Sequence, residues 1–168
     1  MTWLLLSLWA ATVLAADIPT NVRAHLDQAC PRWQLSGVAP QIDAWFRQDR
    51  WPQRPNLVQA DFDNDGRPDL AVEVICRRPR GPRQETFAFL NRPEGHEAFP
   101  LATSDTDPFT FLVVFRKGEK DFDFETMKPF RYPSDTLAVL YLRKTAVVFQ
   151  WNGSGFTRRE TPGDEELQ

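Results

Sequence analysis

Asp61 to Asp69 reads Asp-Phe-Asp-Asn-Asp-Gly-Arg-Pro-Asp, so nine residues carry four carboxylates. The acids stand at positions one, three, five and nine of the stretch, with Gly66 at position six. Acids packed this closely repel one another unless a cation sits among them. Hard oxygen donors at this spacing suit Ca²⁺, which accepts six to eight oxygens in a flexible shell. Mg²⁺ fits less well, because it demands a tight octahedron and keeps its waters. Gly66 permits the left-handed turn that such a loop needs.

The flanking pattern decides what kind of loop this is. From Leu57 the apolar period is two. Leu57 to Phe62 reads as a strand entering the loop, and Leu70 to Ile75 as one leaving it, with Leu70, Val72 and Val74 on one face. An EF-hand needs helices on both sides and a Glu at position 12, where this chain has Val72. The EF-hand is therefore excluded.

Upstream, Trp3 to Leu14 is almost wholly apolar and is followed by Ala15, Ala16 and the first charge, Asp17. This pattern predicts an export signal over residues 1–16, too short to span a bilayer comfortably. The expected product is periplasmic or secreted, not embedded in a membrane after cleavage. A single domain is expected over residues 17–168, and about 150 residues suffice for a real core. The net charge of −3 gives no basis for attraction to nucleic acid. Cys30 and Cys76 are the two cysteines. In an oxidising compartment they are expected to form a disulfide; two separate buried thiols are the alternative.

The expected fold is α+β, with N-terminal helices on a mainly antiparallel sheet of about six to eight strands. Helices are expected over 17–32, with Val22, Leu26 and Ala29 as an apolar stripe, and again after Ala39-Pro40, with Ile42, Trp45 and Phe46 on one face. Further strands are expected at 85–91, 98–101, 110–116 and 121–125. A hairpin is expected from 136–142 and 146–151 around 143–145, then a turn at Asn152-Gly153 and a strand at 156–160.

The loop sequence Asp61 to Val72 resembles the calcium loop of FG-GAP and VCBS-type repeats, the integrin-like repeats of extracellular proteins. The order of helix, Cys30-Pro31-Arg32-Trp33, strand, acidic loop and closing Val147 to Gly153 is similar to small exported bacterial proteins with a single such loop. The resemblance implies ligation by the side chains of Asp61, Asp63, Asp65 and Asp69 and by the Arg67 carbonyl, with Phe62 turned into the core. Members of the repeat class form β-propeller blades, whereas this chain has one such loop. The resemblance implies location and Ca²⁺ binding, not an activity.

Two other clusters stand out. Arg77, Arg78, Arg80 and Arg83 occupy an expected basic loop over 77–83, either a solvated hairpin tip or a surface for an acidic protein or glycan partner. Asp121, Asp123 and Glu125 share one face of a strand. Their spacing permits glycan hydrolysis by paired carboxylates, and equally a charged edge that blocks aggregation. No catalytic residue is assigned. The expectation is an exported Ca²⁺-binding module that is not an enzyme.

Overall fold

A computed structural model describes residues 18–49, 53–123, 126–142 and 145–161. The expected signal segment lies outside the described residues, as do Glu125, Arg143 and Lys144.

Helix α1 spans Thr20–Ala29. Pro19 is its N-cap, and the Pro19 carbonyl accepts the Arg23 N–H at 2.9 Å. Pro31 cannot continue the helix, which ends where the Cys30 N–H reaches the Leu26 carbonyl at 2.8 Å. Strand β1 is Gln34–Leu35. Helix α2 is Pro40–Gln48, with proline in its first turn, where a fixed φ helps and no N–H is missed. Its Ile42 and Phe46 are buried, whereas Trp45 stays 38% exposed although its ring meets Phe46 and Phe111 edge-on.

The strands follow in order: β2 Leu57–Ala60, β3 Asp69–Arg78, β4 Gly81–Arg92, β5 Gly95–Ser104 and β6 Thr110–Phe115. Then come β7 Lys120–Asp123, β8 Lys128–Arg131, β9 Thr136–Tyr141, β10 Thr145–Trp151 and β11 Phe156–Thr161. The described residues form three antiparallel sheets instead of one. The first has the order β1-β3-β4-β5, with β2 beside β1 on the same edge of β3; the second is β11-β10-β9-β6; the third is the ribbon β7-β8.

The reason is that several strands are apolar on both faces, which requires cover on both sides. On β3, Leu70, Val72 and Val74 join Phe87, Phe89, Val22, Leu26 and the two cysteines in one buried cluster. Ala71, on the opposite face, joins Val58, Phe62 and Leu90 against Leu112, Leu137, Val139, Val147 and Phe149 of the second sheet. The two large sheets therefore face each other across this core. On the far side of the second sheet, Phe111, Val113, Ala138 and Val148 cluster with Ile42 and Phe46.

Cys30 and Cys76 form a disulfide with a Cα–Cα distance of 5.2 Å, tying the end of α1 to β3. Closing a loop of 46 residues adds about 4 kcal/mol in the chain-entropy model.

The basic loop expected over 77–83 is a correction. β3 runs through Arg78 and β4 starts at Gly81, with Cys76 paired to Arg83 and Arg77 to Pro82. Only Pro79 and Arg80 make the turn. Arg78 holds the extension together through two hydrogen bonds to Glu85, each 2.8 Å.

Candidate metal centre

Ala60 pairs with Asp69 at the last rung of the β2–β3 ladder, so the acidic loop leaves and rejoins the sheet at one place. Two left-handed residues curl it, Asn64 at φ 63° and Gly66 at φ 86°. Asparagine and glycine tolerate this region better than other residues. The Asp65 N–H donates to Asp61 Oδ1 at 3.0 Å and to Asp63 Oδ1 at 3.2 Å. The Gly66 N–H donates to Asp61 Oδ2 at 3.0 Å. The curled backbone thus gathers the side chains: carboxylate oxygens of Asp61, Asp63 and Asp65 lie within 4.8 Å of one another. Phe62 points the other way and is fully buried between the sheets.

Asp69 is placed differently. It is 1% exposed, and both its oxygens are used: Oδ2 accepts the Phe62 N–H and Oδ1 the Asn91 N–H, each at 2.8 Å. It latches the loop to β4, beside the triad and not within it. Burial pushes its carboxyl up to about 6, with the two N–H bonds opposing and the Asp63 and Asp65 charges adding.

Arginines meet the triad's charge. Arg67 turns its side chain onto Asp65 Oδ2, with Nη2 at 2.6 Å and Nε at 3.1 Å. Hydrogen bonds from this side chain, then from the Arg67 N–H, hold the Asp65 carboxyl below the usual carboxylate range. Arg92 arrives from β4, pairs with Asp63 and lies 3.8 Å from Asp65. On the second sheet's side, Lys117 Nζ donates to Asn64 Oδ1 at 2.5 Å, and the Asp61 N–H reaches Asp135 Oδ2 at 3.4 Å.

No protein-family model, curated protein or solved structure matches this chain.

Chemically, the loop offers converging hard carboxylate oxygens on a curled backbone, a group that could hold a metal ion. Arg92 and Asp135 were not legible as parts of this site. Arg92 sits in an Arg-Pro-Glu-Gly string that reads as a turn, and only the β3–β4 register carries it to the acids.

The other expected sites are dispersed. Arg78 is engaged by Glu85, and Arg83 pairs with Asp105. Arg78, Arg80 and Arg83 border a hollow of about 420 Å³, and Arg77 and Arg78 border a second cavity. Asp121 accepts the Tyr132 hydroxyl and the Phe122 N–H; Asp123 accepts the Thr126 N–H at 3.2 Å and lies 3.9 Å from Arg159. Burial and then the hydrogen bond to Asp121 raise the Tyr132 hydroxyl above its ordinary value.

Proposed function

We propose that this chain is an exported Ca²⁺-binding module of the FG-GAP-like kind, non-enzymatic, with the ion held by the Asp61–Asp69 loop. The observation that carries this reading is the convergence of the Asp61, Asp63 and Asp65 oxygens within 4.8 Å of one another. Those three side chains would supply the first oxygens, and Asp69 and the Arg67 carbonyl are the further donors that the family resemblance suggests. The bound ion neutralises the clustered carboxylates and fixes the loop.

The role we infer is structural. The loop touches β4 through Asp69 and Asn91, and the second sheet through Lys117 and Asp135. An ion there would brace the junction of the two sheets, with the N-terminal helices packed on their outer faces. The Cys30–Cys76 disulfide is compatible with a periplasmic or extracellular place of work. No helix among the described residues is long and apolar enough to cross a membrane. A protein or glycan partner then docks on a scaffold that the ion has made rigid.

Thermal melts test the reading. Ca²⁺ raises the melting temperature, EDTA reverses the rise, and Mg²⁺ at the same concentration gives a smaller one. Identical melts in all three conditions would overturn it.

A further inference from the structure

The β3–β4 hairpin ends in a tip that carries four arginines, Arg77, Arg78, Arg80 and Arg83, within seven residues. Strand register sorts them. Arg78 pairs with Gly81 and Arg83 with Cys76, so Arg78 and Arg83 fall on the face that carries Val74 and Cys76. Arg80 stands in the turn between the strands. Arg77 falls on the opposite face and shares its cavity with Asp107. β3 runs from Asp69 to Arg78, which sets the tip about 30 Å from the acidic loop. That is well beyond a Debye length of about 8 Å, so the loop's charge is screened from the tip.

Arg78, Pro79, Arg80 and Arg83 line a hollow of about 420 Å³, with no carboxylate among its described lining. The two acids that meet these arginines lie outside it and act differently. Glu85, 7% exposed, accepts Arg78 Nε and Nη2 as a fork, each at 2.8 Å. The fork fixes the guanidinium and occupies one edge of it; among the described residues no hydrogen bond uses its Nη1. Asp105 pairs with Arg83, but its side chain is 94% exposed. A pair so exposed is worth little, and an incoming anion displaces it readily. Arg80 is exposed and makes no ion pair among the described residues. Pro79 fixes φ on one side of Arg80, and Gly81 at φ 114° completes the turn. Three arginines therefore surround one hollow on a turn with little freedom, and they outnumber their two acids.

This arrangement selects among anions. One guanidinium fork satisfies a carboxylate. A tetrahedral oxyanion ester offers three terminal oxygens, one for each arginine. The hollow lies in the size range of small-molecule sites, and apart from the arginines only Pro79 lines it among the described residues, which suits a polar body. We propose that this hollow binds the phosphate or sulfate ester of a small polar molecule such as a sugar, with ester oxygens shared among Arg78, Arg80 and Arg83. The site is independent of the metal loop.

Calorimetric titration of the full chain in metal-free buffer tests it, with glucose 6-phosphate, glucose 6-sulfate, glucuronate and glucose as probes. At least one ester should saturate with a dissociation constant below about 2 mM, and the tighter of the two identifies the oxyanion. Glucuronate, a similar body with a carboxylate, should bind at least about tenfold more weakly, and glucose should not bind. Arg80→Ala and Arg83→Ala should each weaken the tighter ester at least about fivefold. Lys128→Ala removes an exposed cation from the β7–β8 ribbon and should leave binding unchanged. The proposal is overturned if neither ester reaches a constant below about 2 mM, if glucuronate or glucose matches the tighter ester, if Arg80→Ala binds as the wild type does, or if Lys128→Ala weakens binding as much as Arg80→Ala.

Discussion

Arg92 reaches across 29 residues of sequence to pair with the Asp63 carboxylate, while its Nε donates to Glu97 at 3.0 Å and its guanidinium lies 5.7 Å from the Trp151 ring centroid. The protein thus supplies its own cation to the acidic cluster. A divalent ion would compete with this guanidinium for Asp63. Arg92→Ala should therefore tighten Ca²⁺ binding by about fivefold and lower calcium-free stability by about 1 kcal/mol. Calorimetry and urea unfolding in EDTA measure the two effects, which should have opposite signs.

Glu73 makes stability depend on pH. Burial raises its carboxyl to about 7, with Ser36 and Gln84 opposing and the Asp107 charge adding. The unfolded chain ionises near the usual glutamate value, so between these pH values the folded state binds more protons. Stability from this group is thus greatest below about pH 4.5 and declines as pH rises toward and through about 7. Glu73→Gln keeps an acceptor for Ser36 and removes the charge. It should stabilise the protein at pH 8 by roughly 3 kcal/mol and flatten this part of the profile, as read by urea unfolding from pH 5 to 8.

The Cys30–Cys76 bridge should contribute about 4 kcal/mol, because it closes a loop of 46 residues in the unfolded chain. Replacing both cysteines with alanine should lower the unfolding free energy by about that amount. Both sulfurs sit in the cluster that contains Val22, Leu26 and Val74, so local loosening there should accompany the loss. Amide exchange along α1 would report it.

Gly66 has φ 86° and nothing within 4 Å of where a Cβ would stand. The cost of Gly66→Ala is therefore conformational and not steric, about 1 kcal/mol. That strain falls on the residue whose N–H orients Asp61. Calcium affinity should drop several-fold, as read by calorimetric titration.

Much of the chain order was legible because strand alternation is local. Leu70, Val72 and Val74 share a buried cluster as their spacing implied, and Phe62 turns inward. The hairpin of β9 and β10 lies where two apolar runs flank a short polar break. What alternation cannot reveal is how many sheets share the strands. The run Phe111-Leu112-Val113-Val114 was apolar on both faces, a sign of cover on both sides that a one-sheet reading passed over. β8, with Pro129 and two basic residues, has no strand signal of its own and exists through its pairing with β7. The arginines of 77–83 looked like a loop because the Arg78–Glu85 pair that extends the strands is a cross-strand contact. In the acidic loop, the gathering of Asp61, Asp63 and Asp65 followed from spacing. The use of Asp69 as a latch did not, since Asn91 comes from another strand. The burial of Glu73, an acid on the face of Ala71, was not legible either, since its partner Ser36 lies 37 residues away in sequence.

Calcium titration of the purified chain by calorimetry, repeated on a chain with Asp61, Asp63 and Asp65 all changed to asparagine, addresses the metal loop most directly. The wild type should bind one ion with a dissociation constant at or below about 1 mM, the range of extracellular calcium modules. At a hundredfold excess of calcium over that constant it should gain about 2.7 kcal/mol of stability, roughly 5 to 10 °C in melting temperature, and the substituted chain should gain neither heat nor stability. A wild-type chain that takes up no calcium at millimolar concentrations, or a substituted chain that binds equally well, would contradict the assignment of these aspartates.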